Sequence, residues 1–211
     1  MRAITLSGFE DKFAADPDPW ATFSNRDEAH KRNNILHALG SGVRGRILEV
    51  AAGNGSNSVA LAKRALRLDA TEGTVEGTAL VAKALGNGSR ARAIHLKLPD
   101  KFPRASYDAI VVAEILYYLT PRDMALTAIR VAAALPPGGR LVLAHHRIDF
   151  ADFVQHAANI HRRFLDRTNA SWRFISSANT GRWVVGAFER LSPRCDERRR
   201  SSPAAPAFGY R

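Results

Sequence analysis

Ile47-Leu-Glu-Val-Ala-Ala-Gly-Asn-Gly-Ser56 reads as a β-strand that runs into a glycine turn and opens a helix. Gly53 and Gly55 let backbone pass close to a ligand, and the helix start offers free N–H groups to it. A Gly-x-Gly pair is weak evidence by itself. Two acids sharpen it: Glu49 lies four residues before Gly53, and Glu72 follows Gly53 by 19 residues at the end of the next strand-like run. In a doubly wound sheet both strand ends face the crevice in which ligands bind.

Outward from this stretch, short β-rich runs alternate with helical ones. The pattern predicts strands over Arg46–Val50, Arg67–Thr71, Ala91–Leu96, Tyr107–Ala113 and Arg140–His145. Helices are predicted over Asn57–Ala65, Val75–Leu85 and Arg122–Leu135, with Pro136-Pro-Gly-Gly139 as the turn into the fifth strand. Such alternation implies a parallel sheet with right-handed crossovers. The nearly all-apolar run Asp108-Ala-Ile-Val-Val-Ala113 suits a central strand buried on both faces. Beyond His145 the pattern predicts a helix over Phe150–Leu165, then strands Ser171–Ser176 and Arg182–Arg190 joined by Asn179-Thr-Gly181 as a hairpin. The expected fold is therefore α/β: a Rossmann-like, mostly parallel seven-stranded sheet with a C-terminal antiparallel hairpin.

On the N-terminal side, Phe9–Ala15 reads as a short helix, Asp16-Pro-Asp-Pro-Trp20 as a rigid turn, and Asp27–Leu39 as a helix stopped by Gly40 and Gly42. The domain is expected over residues 1–191, with 1–42 as a cover segment. Residues 192–211, rich in Arg, Ser, Pro and Ala, read as a basic, disordered tail.

Composition narrows the function classes. At 211 residues, 45% of them hydrophobic, the chain can bury one core of ordinary size. No run approaches the roughly 18 apolar residues of a membrane span, and Met1–Lys12 lacks the apolar centre of a signal peptide, so a cytoplasmic protein is expected. The single cysteine, Cys195, has no partner in the chain for a disulfide or a cysteine metal site. His156 and His161 are five apart, not the four that bring two ligands to one helix face, and no metal is expected. The net charge of +11 is spread along the chain and is compatible with acidic partners or with solubility alone.

The turn and its flanks resemble a known family. Glu49-Val-Ala-Ala-Gly-Asn-Gly55 is similar to the S-adenosylmethionine (SAM)-binding motif of class I SAM-dependent methyltransferases. Tyr107-Asp-Ala-Ile-Val-Val-Ala-Glu-Ile-Leu-Tyr-Tyr-Leu119 and Leu135-Pro-Pro-Gly-Gly-Arg-Leu-Val-Leu143 resemble their fourth-strand and fifth-strand motifs. Within that superfamily the resemblance is closest to NodS-like N-methyltransferases of nodulation-factor synthesis. It covers about Phe9 to Leu191 and includes Asp16-Pro-Asp-Pro-Trp20.

The resemblance implies SAM as cofactor and a small-molecule acceptor, such as an amino sugar or chitooligosaccharide. It places Glu49, Ala51, Gly53, Asn54 and Gly55 around the methionine part, Glu72 and Gly73 at the ribose, and His95 and Leu96 beside the adenine. Glu114 would close the pocket beneath the sulfonium. Ala51 stands where the family's motif has glycine, and the acid that often meets the adenine amino group has no counterpart among Ile94–Lys97.

Read from the residues, Glu72 suits two ribose hydroxyls and Glu49 an ammonium; the lesser alternative is that Glu49 caps the following turn and Glu72 the helix after it. An amine nucleophile must lose a proton, and His145 at the end of the fifth strand is the expected base, with His146 and Glu114 behind it. An ordinary loop histidine is the alternative. Tyr117 is expected to line the site and Tyr118 and Trp20 to pack the cover onto the sheet, with Trp20 as an aromatic lid over the cleft the alternative; Lys31 and Arg32 are expected on a solvated face, the alternative being a contact with the SAM carboxylate or an acidic substrate.

Two other readings compete. Gly53-x-Gly55-x-x-Ser58 with Glu72 partly imitates the fingerprint of an NAD-dependent oxidoreductase, but Ser58 replaces the third glycine and Glu49 would repel a pyrophosphate. A nucleic-acid-binding protein or nucleic-acid methyltransferase would use the basicity and Arg198-Arg-Arg200. Against it, Ala113-Glu-Ile-Leu stands where base-amine methyltransferases carry Asn or Asp, two prolines and an aromatic.

Overall fold

The computed structural model describes residues 3–192, so the tail beyond Ser192, with Cys195, lies outside the described residues. Seven strands form one sheet: β1 Arg44–Val50, β2 Ala65–Glu72, β3 Ala91–His95, β4 Ala109–Ala113, β5 Arg140–His146, β6 Trp172–Asn179 and β7 Trp183–Arg190. Their spatial order is β3-β2-β1-β4-β5-β7-β6, parallel except for β7, which runs antiparallel to both β5 and β6. This is the seven-stranded sheet with a terminal hairpin expected from the alternation. No helix among the described residues is long and apolar enough to cross a membrane.

Two apolar layers sandwich the sheet. On one face Ile35 and Leu39 of α2 (Arg26–Ala38) and its C-cap, Leu61 of α3 (Ser56–Ala62) and Val81 of α4 (Val75–Leu85) pack against Ile47, Val111 and Val142. On the other, Met124, Ala128 and Val131 of α5 (Pro121–Ala134) and Phe164 of α6 (Ile160–Asp166) pack against Leu48, Ile110 and Leu143. Neighbouring residues of β1 and β4 thus serve opposite layers, which is why these strands read as unbroken apolar runs. Helix starts follow local chemistry: Thr74 caps α4, and Thr120 followed by Pro121 caps α5.

β1 lies between β2 and β4, so the chain leaves it toward opposite sides and opens a crevice at the carboxyl ends of these strands. The cover folds over that crevice. In α1 (Leu6–Ala15), the Glu10 carboxylate accepts from the N–H groups of Val75 and Glu76 at the start of α4, at 2.9 and 3.1 Å.

The helix expected over Phe150–Leu165 is corrected to α6 alone. Through residues 150–159 the backbone donors are used elsewhere: Val154 and Gln155 both donate to the Tyr117 carbonyl, and Ala157 donates to the Asp149 carboxylate. These bonds compete with a helical ladder and lay the segment against the crevice as an irregular strap.

Candidate active site

The crevice is a cavity of about 640 Å³, within the range of small-molecule and cofactor sites. Its floor is the glycine turn. Ala51 (φ +55), Gly53 (φ +62) and Gly55 (φ +87) all adopt left-handed backbone, so the first of the three pays a steric cost that its Cβ imposes. Ala51, Gly53 and Asn54 line the cavity. Gly55 does not: a Cβ there would stand 3.1 Å from Cα of Val81, so this glycine allows α3 and α4 to meet. Asn54 ties the cover to the floor, its amide donating to Asp18 (2.8 Å) and the Pro17 carbonyl (3.2 Å) and its oxygen accepting from Thr22.

Glu72 lines the cavity beside Gly73. One carboxylate oxygen accepts from Gly53 N–H at 2.9 Å, the other from the N–H and hydroxyl of Thr74 at 3.1 and 3.0 Å. It thus braces the turn and the start of α4, as the capping reading has it, while also lining the cavity. Burial raises its pKa against these donors. Glu49 departs from expectation. Its side chain sits beneath the turn, outside the cavity lining, and accepts from the Ser58 hydroxyl at 2.5 Å. Burial pushes its carboxyl up to about 8, with the nearby Glu72 adding to the rise. Beyond β3, Leu96 lines the cavity, whereas the His95 ring turns outward to the Gly73 carbonyl at 3.0 Å. His95, expected beside the adenine, therefore does not line the cavity.

The opposite end is built on Glu114, which follows β4 with left-handed backbone (φ +54). One of its oxygens accepts from Lys31 Nζ at 2.6 Å. The other accepts from His146 Nδ1 at 2.8 Å and from the Tyr117 hydroxyl. Burial alone would raise this carboxyl, but the His146 hydrogen bond and the Lys31 charge hold it at about 2. Lys31 reverses the expectation of a solvated face. It is 2% exposed, lines the cavity, and bridges Glu28 and Glu114; those carboxylates outweigh burial and raise its pKa. Arg32 is bonded to the Thr22 carbonyl.

His145 is corrected as well. It is fully buried and absent from the lining; Nε2 accepts from Leu116 N–H at 3.2 Å and Nδ1 faces His161 Nε2 at 3.1 Å. Burial and the neighbouring His161 hold its pKa well below the ordinary value. Strand alternation explains the exchange, because His145 and His146 must point to opposite faces of β5 and only His146 reaches the cavity. Tyr117 lines the site as expected, stacked on Phe153 at 3.7 Å. Trp20 packs on Phe9 and Phe13, and Tyr118 on Phe9, but both also face the cavity.

The family pattern described as Nodulation protein S (NodS) matches residues 8–179. The chain belongs to the NodS family. As such it is a SAM-dependent methyltransferase, and its sheet order is that of the class I fold. Among solved structures, N-methyltransferase NodS from Bradyrhizobium japonicum WM9 in complex with S-adenosyl-L-homocysteine has a TM-score of 0.74 at 20% identity, covering 89% of this chain and 98% of that one. A putative methyltransferase from Pseudomonas syringae has a TM-score of 0.67 at 25% identity, over 79% and 100% of the two chains. Phosphoethanolamine N-methyltransferase 1 of Haemonchus contortus has a TM-score of 0.66 at 14% identity, over 92% of this chain and 51% of that one. Against this NodS background, Lys31 was weighed as a ligand contact but assigned to a solvated face, and the Phe150–Phe153 wall was missed from sequence. Lys31 was findable: with Ile35 and Ala38 it continues the buried i, i+4, i+7 stripe of α2. Phe150 and Phe153 carried no signal, because the strap that presents them has no periodicity.

Proposed function

We propose that this NodS-family chain transfers the methyl group of SAM to an amine of a small acceptor, an amino sugar or chitooligosaccharide. The observation that carries this reading is the His146–Glu114 pair at the cavity end formed by β4 and β5. A carboxylate only accepts hydrogen bonds, so Glu114 fixes the proton of a neutral ring on Nδ1. Nε2 makes no hydrogen bond among the described residues and is the proton acceptor for the amine. In this reading His146 takes the role first expected of His145.

The residues present fit the cofactor. Gly53 and Gly73 carry no Cβ where the floor and the β2 end approach the cavity, and Glu72 presents a carboxylate between them. Ala51, Gly53 and Asn54 would hold the methionine part, Glu72 and Gly73 the ribose, and Leu96 the adenine. When bound, SAM supplies a methyl group activated by its sulfonium. The chain's own part is to align the acceptor, exclude water and take one proton. The aromatic faces of Trp20, Tyr118, Phe150 and Phe153 suit the C–H faces of a sugar ring.

Thermal unfolding with SAM, S-adenosylhomocysteine and NAD tests the cofactor assignment. SAM or S-adenosylhomocysteine at 100 times its dissociation constant stabilises the fold by about 2.7 kcal/mol, and NAD leaves it unchanged. Transfer of labelled methyl to glucosamine or chitooligosaccharides, lost in His146→Asn with SAM binding intact, tests the acceptor and the base. Stabilisation by NAD alone, or transfer only to hydroxyl acceptors, would overturn the proposal.

A further inference from the structure

Lys31 is the one buried lysine among the described residues, and a buried ammonium is costly unless it is paired. An apolar residue would simply have extended the stripe that Ile35 and Ala38 present to the core. Instead Nζ lies 2.8 Å from Glu28 Oε1 and 2.6 Å from Glu114 Oε1. It therefore occupies the Glu114 oxygen that His146 and Tyr117 leave free. An unbalanced carboxylate 2.8 Å from an imidazole strongly favours a second proton on the ring, and that proton would fill Nε2. A cation on the far side of the carboxylate offsets this pull.

We infer that Lys31 is a positioning residue for methyl transfer: its ammonium holds Glu114 in place and offsets the carboxylate's charge, so that Nε2 of His146 stays bare for the acceptor's proton. This rests on the reading of His146 given above. As the acceptor nitrogen bonds to the methyl carbon, the electrons of the broken methyl–sulfur bond leave with sulfur and the nitrogen's proton passes to Nε2. The imidazolium so formed faces Glu114. The charged and titratable groups around the ring are Glu114 after β4, Lys31 and Glu28 from α2, Tyr117, and His145 on its own strand. Across β7, Arg182 precedes Trp183, the register partner of His146, and pairs with Asp27 at 3.7 Å. Lys31 is the cation that touches the carboxylate from the cover, so it also makes the arrangement depend on α2 being docked.

The test is the ¹⁵N nuclear magnetic resonance of the histidine rings across pH in the full chain, with the His146 signals identified by their loss in His146→Asn. The wild-type neutral ring carries its proton on Nδ1 and shows a bare Nε2. In Lys31→Met the ring takes up its second proton about tenfold more tightly, moving the titration to higher pH, while thermal unfolding verifies the fold. Lys31→Gln keeps a donor toward Glu114 without the charge and gives the same shift, so it decides if Lys31→Met does not fold. Glu114→Gln moves the titration the opposite way. A neutral ring protonated on Nε2, or a folded Lys31 variant titrating like wild type, overturns the inference. Neither acceptor nor cofactor is added, so failure of the methyl-transfer reading appears separately, as absent turnover with this titration intact.

Discussion

At the scale of single residues, the two acids of the motif have diverged in environment. Glu72 faces the cavity and is bonded to Gly53 and Thr74, whereas Glu49 is sealed beneath the turn with Ser58. Burial raises the Glu49 carboxyl from its ordinary 4.5 to about 8, so the folded state keeps a proton that the unfolded chain releases. Its contribution to stability is therefore present below about pH 4.5 and falls as pH rises through 8, at up to about 1.4 kcal/mol per unit. Urea unfolding followed from pH 5 to 8 should show this loss in the wild type and a flatter profile in Glu49→Gln, which keeps an acceptor for Ser58. A profile unchanged by the substitution would mean that Glu49 is ionised in the folded protein. Glu114 has the opposite sign. Held at about 2, below its ordinary 4.5, it contributes stability above 4.5 that is lost as pH falls toward 2.

At the scale of elements, most boundaries follow from capping and periodicity. The sequence reading placed α4 at Val75–Leu85 as found, and α5 within one residue at either end. It failed at 150–159, where bonds to the distant Tyr117 carbonyl and to the Asp149 side chain replaced a helix, because a periodic pattern carries no information about such acceptors. Gly55 illustrates how a motif residue can serve packing. An added Cβ would press on Val81 in α4 and adopt φ +87, so Gly55→Ala should lower stability by about 2–4 kcal/mol in urea unfolding. Cofactor affinity should fall with it, since α3 begins immediately after the floor of the cavity. A loss below about 1 kcal/mol would mean that α3 and α4 can separate cheaply.

At the scale of the whole molecule, the net charge of +11 does not extend into the site. The cavity is lined by five carboxylates, Asp27, Glu28, Glu72, Glu114 and Asp152, against four cations, Lys12, Lys31, Lys97 and Arg182. Methyl transfer to a small acceptor should therefore change less than about tenfold between 50 and 200 mM salt. A nucleic-acid substrate held by 6–10 phosphate contacts would lose about 10³–10⁵ in affinity over the same range, and such a loss would revive that reading. Sequence by itself determined the sheet, its hairpin, the glycine floor and Glu72 at the end of the second strand, because apolar period, turn residues and motif spacing act within a few residues of one another. Only the tertiary structure decided that Glu49 lies beneath the floor, that His146 and not His145 reaches the cavity, and that Lys31 crosses from the cover to Glu114. Each of those depends on which face a side chain presents to an element far away in the chain, and that is settled by packing.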